Sequence, residues 1–359
     1  MTTSQRPALL TPADFGWSGP NRYRDFWDLL ADPDGRVPFP QIVSAHWETL
    51  SRTDRPDLRD EAYAAERAML RRFESQQGQI QSLYFCERTA GGCVLVERDR
   101  ADGRGKVCTL FSSMRTSSTD LALLMGQCET ILADAASVFG SRKSNQLPRI
   151  RWIGDAVYNT ATRILRAVDK WHDIQDEKIR ERAVADARAV VLATRQGAES
   201  LFQRAARFRY FGGVLAGAVL ALTVCVAISC LNARLWSATV STPALAAATV
   251  FGVLGAVTSV FRRTATGLLD IDYLTPRLHL RALAALHPAI GAVLGLVSQF
   301  ALLTALSANQ LDARGRPFEL FALIGFAAGF SERFATDIIE KAERNLTNTP
   351  AAGARPLAR

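Results

Sequence analysis

Four apolar segments, at residues 210–231, 243–261, 288–308 and 320–330, dominate the C-terminal part of this chain, and each carries small residues four apart. A bilayer-crossing helix needs about 20 mostly apolar residues, because the hydrocarbon layer is about 30 Å thick and each residue rises about 1.5 Å. The first three segments meet that length. The fourth has 11 uninterrupted apolar residues and reaches it only by taking in Glu319 on one side and Ser331, Glu332 and Arg333 on the other. It reads as a span with polar ends, the alternative being a re-entrant helix. The fold class expected is mostly α: an N-terminal cytosolic α region with a small β element, then a four-helix transmembrane domain made of two helical hairpins.

A mean hydropathy of +0.03 hides this division, because the longer polar part dilutes the apolar one. Four regions follow from composition: a cytosolic N-terminal region at 1–148, a helical stalk or bundle segment at 149–209, the four-span domain at 210–345, and a disordered tail at 346–359. Residues 1–17 contain no apolar run of the signal-peptide kind. Cytoplasmic flanks of spans are enriched in Lys and Arg. Eleven basic residues flank the first span, the middle loop and the end of the fourth, against three in the other two loops. The expected topology is a multi-pass protein of the plasma (inner) membrane, bacterial in character, with both termini cytoplasmic. The net charge of +8 follows largely from that flanking, and it reads as topology plus attraction to anionic headgroups. No basic run interleaved with aromatics points to nucleic acid.

Six cysteines contain no C-x-x-C pair, and Cys225 and Cys230 lie about 140° apart around a helix, so buried thiols in a reducing compartment are expected, with no metal and no cofactor. Short helices are expected near 23–30 and 41–50, and a longer one runs to Gln76 with Asp57 as its N-cap. The β-prone runs 82–86, 93–97 and 107–111 suggest a three-stranded meander with turns at Gly91-Gly92 and at Asp102-Gly103 with Gly105. The helical period returns from Ser118, breaks at 140–148, and resumes as Val157, Ala161, Ile164, Val168 and Trp171. A second stripe runs Ile179, Ala183, Ala187, Val190, Thr194, Gly197, Leu201, Ala205 and Phe208. Two readings stand: one stalk over 155–209, or two or three shorter helices bent near Asp173 and Gly197. An exposed stalk would need a coiled-coil partner helix, and hence a homo-oligomer.

Within the spans, Gly213 and Gly217, Gly252 and Gly255, Gly291 and Gly295, and Gly325 and Gly329 mark faces where backbones can approach closely. Gly213–Gly217 resembles Gly291–Gly295, and Gly255 to Arg262 resembles Gly329 to Arg333, which suggests a duplicated two-helix unit. Arg262, Arg263, Gln299, Ser331, Glu332, Arg333 and Asp337 are the pore or inner-mouth candidates, since ionisable and polar groups at membrane depth are functional candidates. The connector from 264 to 287 reads as an amphipathic helix in the inner interface. No catalytic constellation is present: there is no phosphate-binding loop, nucleophile elbow or metalloprotease helix. The chain is therefore expected to be no enzyme. Three classes remain: an oligomeric channel, pore or membrane effector controlled by the cytosolic domain; a membrane-anchored sensor or scaffold; and a small secondary transporter. Expected partners are the lipid bilayer, further copies of the chain, and a cytosolic protein or small-molecule signal.

Overall fold

The computed structural model describes residues 22–32, 35–99, 106–116, 118–139, 147–171, 173–235, 242–266, 271–305 and 318–330. The chain divides into two compact units, residues 1–202 and 203–359.

In the first unit, β1 (Gln79–Phe85), β2 (Gly91–Asp99) and β3 (Lys106–Met114) form an antiparallel sheet in the order β1-β2-β3. The central strand β2 is buried on both faces from Gly91 to Glu97. Side chains alternate across a strand, so Val94 and Val96 enter one core while Cys93, Leu95 and Glu97 face the other side. The first core is made with α1 (Arg24–Ala31), α2 (Phe39–Ser51) and α3 (Pro56–Gln77), through Trp27, Leu30, Phe39, Ile42, Met69 and Phe73. The second side is covered by α4 (Thr119–Phe139) and α5 (Leu147–Trp171), whose Gly154 stands against Leu95 and Cys108.

Two local expectations change. Gly91 and Gly92 lie within β2 and the turn precedes them, because a Cβ at Gly92 would stand 2.8 Å from the Phe85 ring and from the Tyr84 carbonyl oxygen. Asp57 is no N-cap: α3 starts at Pro56, whose fixed φ suits the first helical position, and Asp57 instead takes a 2.6 Å ion pair from Arg22. The second expected turn, at 102–105, lies outside the described residues.

The helical segment breaks once, between Trp171 and Glu177, where Asp176 Oδ1 accepts from Lys178 N at 2.9 Å and Arg180 Nε donates to the Ile174 carbonyl at 2.7 Å. Gly197 causes no break, and α6 runs unbroken from Glu177 to Leu235, 59 residues. The expected stripe is covered only in part: Ala187 and Ala205 are buried and Thr194 bonds Thr160 of α5 at 2.8 Å, whereas Ile179 is 52% and Phe208 75% exposed. The buried face is shifted by one position to Val191, Ala198 and Phe202, which meets Phe139 of α4, so contacts within the chain cover α6 there.

The second unit holds the rest of α6, α7 (Thr242–Ala265), α8 (Arg277–Ala305) and α9 (Phe318–Phe330). Its core joins Ala206, Tyr210 and Val214 of α6 to Val260 of α7 and Leu280 and Ala284 of α8. That packing makes the end of the expected interfacial connector part of α8 itself, with Pro288 inside the helix. Among the described residues three helices are long and apolar enough to cross a membrane: α4, α6 and α8. In α4 the apolar side is already occupied, since Leu121, Leu124, Cys128, Ile131, Leu132 and Ala135 are buried in the first unit. α7 carries Arg262 and Arg263 in its last turn, and α9 is described over 13 residues only.

Candidate functional site

All eight glycines singled out in the apolar segments stand against the backbone of another helix. A Cβ at Gly213 would lie 2.7 Å from the Arg281 carbonyl oxygen, and one at Gly217 would strike that of Ala285. α6 thus runs parallel to α8. Gly291 and Gly295 face Gly252 and Ala248 of α7, so α8 runs antiparallel to α7. Gly325 and Gly329 of α9 meet Ala248 and Gly252 from another side, while Gly255 meets Phe326 and Phe330. The α7 backbone from Ala248 to Gly252 is therefore shared by two neighbours. The glycine pairs that resemble each other in sequence do not occupy equivalent seams: Gly213 and Gly217 face α8, whereas Gly291 and Gly295 face α7. Carbonyl oxygens set this close favour Cα–H contacts and dispersion, the forces left to helix pairs in lipid.

Gln299 lies one turn beyond Gly295 and is 2% exposed, and its Oε1 has no hydrogen-bond partner among the described residues. Arg262 and Arg263 sit at the opposite end of α7. From Ala248, the level of Gly295, to Arg262 is about 21 Å along the helix, so the structure does not bring Gln299 together with the two arginines. The Arg262 guanidinium stands over the Phe330 ring, 5.7 Å from its centre. Ser331, Glu332, Arg333 and Asp337 lie outside the described residues.

The first unit has a cleft of 450 Å³ lined by Ser118, Asp120, Trp171, Glu177, Arg180, Glu181 and Arg188, among others. Its wall is built on the first three turns of α6. Arg180 lies over the Trp171 ring at 5.5 Å, which fixes one side of the cleft. No sequence motif marks this cleft. Its signal is the bend expected near Asp173, which sets the charged first turns of α6 beside Trp171, the last residue of α5.

Of the four acidic groups buried among the described residues of this unit, Glu61, Glu97 and Asp169 each gather several donors. Glu97, on the α5-facing side of β2, receives Lys106 Nζ at 2.7 Å and Arg151 Nε at 2.9 Å. The Arg151 hydrogen bond, ahead of that from Lys106, holds its carboxyl below the usual range. Asp169 of α5 accepts from the Glu87 and Arg88 amides at 3.0 and 2.7 Å and so pins the β1–β2 turn. Glu61 Oε1 accepts from the Arg22 and Tyr23 amides and from Trp27 Nε1. Burial pushes Cys86 and Cys108 up to about 11 and Cys93 and Cys128 up to about 12, which leaves these thiols protonated and poorly nucleophilic. Among the described residues no group of three His, Cys, Asp or Glu side chains is arranged to hold a metal. No family model matches the chain, and no curated protein or solved structure is significantly similar to it.

Proposed function

We propose that this chain is a multi-pass protein of the inner membrane whose second unit, inserted as two helical hairpins with both termini cytoplasmic, acts as an oligomeric channel or membrane effector under control of the first unit. The observation that carries the reading is α6. One helix walls the charged cleft at its start, through Glu177, Arg180, Glu181 and Arg188, and ends in an apolar segment that packs against α7 and α8. A small-molecule or protein signal that binds the cleft acts on the helix that also forms part of the membrane domain. The glycine seams leave no room for a path at α7, so conduction runs between copies of the chain. The same seams favour a second reading, in which the second unit only anchors a sensor or scaffold. The transporter reading has less support, since the described helices of the second unit have few buried polar side chains: Arg209, Thr249, Ser259 and Gln299.

Conductance of the reconstituted full chain in planar bilayers, with oligomeric state measured in detergent, tests the proposal. Oligomers that pass ions support it. Ala185→Trp, which fills the cleft, is expected to change the open fraction, and Gly197→Pro, which breaks α6 between the cleft and the second unit, is expected to abolish that response while leaving the protein in the membrane. A monomer that passes no ions with any ligand tried removes the channel reading and leaves the anchor.

A further inference from the structure

In the first unit Arg22, Arg52, Arg59, Arg88, Arg151 and Arg180 each face a carboxylate, while Arg36, Arg55 and Arg98 make no ion pair among the described residues. Among the described residues at one end of the second unit, Arg204, Arg207 and Arg281 make no ion pair, and Arg262 makes none but stands over the Phe330 ring. Arg209, Arg263 and Arg277 carry other interactions. The unpaired arginines of the second unit belong to one place. Phe211 of α6 meets Phe261 of α7 at 6.0 Å, one turn from Arg207 and beside Arg262, and the Arg281 carbonyl lies against Gly213. Exposed apolar side chains alternate with them: Phe208 is 75% exposed, Phe261 59% and Leu278 84%. Asp272, whose carboxylate holds the Leu274 amide, is the acidic residue described at this end.

Unpaired guanidiniums beside large exposed apolar groups would be costly in water and are matched by an interface in which anionic headgroups lie over acyl chains. We infer that Arg204, Arg207, Arg262 and Arg281, with Phe208, Phe261 and Leu278, form a collar that binds anionic phospholipid in preference to zwitterionic lipid. The headgroup phosphates receive the guanidinium hydrogen bonds. The apolar side chains rest among the first methylenes. This inference rests on the membrane reading of the second unit and deepens it.

Native mass spectrometry of the full chain in detergent, with equal amounts of phosphatidylglycerol and phosphatidylcholine, tests the collar. The unaltered protein is expected to retain phosphatidylglycerol about tenfold over phosphatidylcholine, a preference that falls with added salt. The triple variant R204Q/R207Q/R281Q is expected to bind both alike, whereas R55Q/R59Q, in the first unit, keeps the preference. Melting temperature in detergent shows whether the triple variant is folded, and should it not be, R207Q and R281Q singly are each expected to lower the preference. Equal retention of the two lipids by the unaltered protein, or a preference unchanged in the folded variants, overturns the collar. Carbonate extraction separates this from the reading beneath it: release of the chain from membranes removes the membrane assignment, and retention without lipid preference removes the collar alone.

Discussion

Gly252 and Gly212 differ in what a methyl group would meet. At Gly252 a Cβ strikes the Gly291 carbonyl oxygen with Gly295 Cα behind it, whereas at Gly212 nothing stands within 4 Å. Backbone cannot yield as a side-chain tip can, so Gly252→Ala forces α7 and α8 apart and is expected to cost about 1–3 kcal/mol, while Gly212→Ala, inside α6 with open space, is expected to leave stability unchanged or raise it by up to about 1 kcal/mol. Thermal unfolding in detergent checks both, and equal melting temperatures would refute the seam. Glu97 makes the corresponding argument in the first unit. Its folded pKa is depressed, so its contribution is complete above the unfolded value of about 4.5 and is lost as pH falls through the lowered folded value. Glu97→Gln is expected to cost about 1–3 kcal/mol at neutral pH and to flatten stability against pH below about 4.5. An unchanged acid limb in that variant would show that Glu97 is not the group responsible. The glycine faces were legible because small residues four apart in an apolar run have few other uses. Their partners were not, because helical period fixes a face and carries no information about which helix meets it. Glu97 had a weak signal: in the alternation of β2 it falls on the same side as Cys93 and Leu95.

The length of α6 was only half legible. Gly197 is a helix-weakening residue by propensity, yet here the tertiary contacts on either side, Thr160 to Thr194 and Phe139 to Phe202, hold the backbone through it. A Cβ at Gly197 would meet only the Trp152 ring edge, at 3.5 Å, an ordinary contact. Gly197→Ala is therefore expected to stabilise the first unit by about 0.5–1 kcal/mol, through the backbone freedom that glycine loses on folding. Urea unfolding of the full chain measures it, and a loss of stability would mean that α6 is bent at this position. The sheet shows the same limit of local reading. The three strands follow from β-branched and aromatic runs, but Gly91 and Gly92 carry a turn signal that tertiary packing overrides: Cys86 lies against Gly91, and Phe85 and Val43 against Gly92. Pro288 is a parallel case in α8, where Leu280 and Ala284 are held by Tyr210 and Val260 and fix the segment before the proline as helix.

At the scale of the whole chain, six cysteines report separately on the two units. Cys86, Cys93, Cys108 and Cys128 are buried in the first unit, while Cys225 is half-buried and Cys230 exposed in the second. Each unit has its own core, and of the four buried thiols Cys86 follows β1, Cys93 sits on β2, Cys108 on β3 and Cys128 on α4. A thiol reagent added to the native protein in detergent is thus expected to modify Cys230 first and Cys225 more slowly, and to leave the other four untouched. Urea removes apolar burial from the first unit, whereas the second is held by detergent as well as by glycine seams. Raising urea is then expected to expose all four protected thiols in one cooperative step, at the same midpoint as the loss of tryptophan fluorescence from Trp27 and Trp47. Stepwise release of the four would mean that the side of the sheet covered by α4 and α5 does not unfold as one body. Prompt reaction of all six in native buffer would deny the first unit its core. The position of this step relative to loss of helix signal decides the division between units, since helices of the second unit that outlast it in circular dichroism behave as a separate folding body.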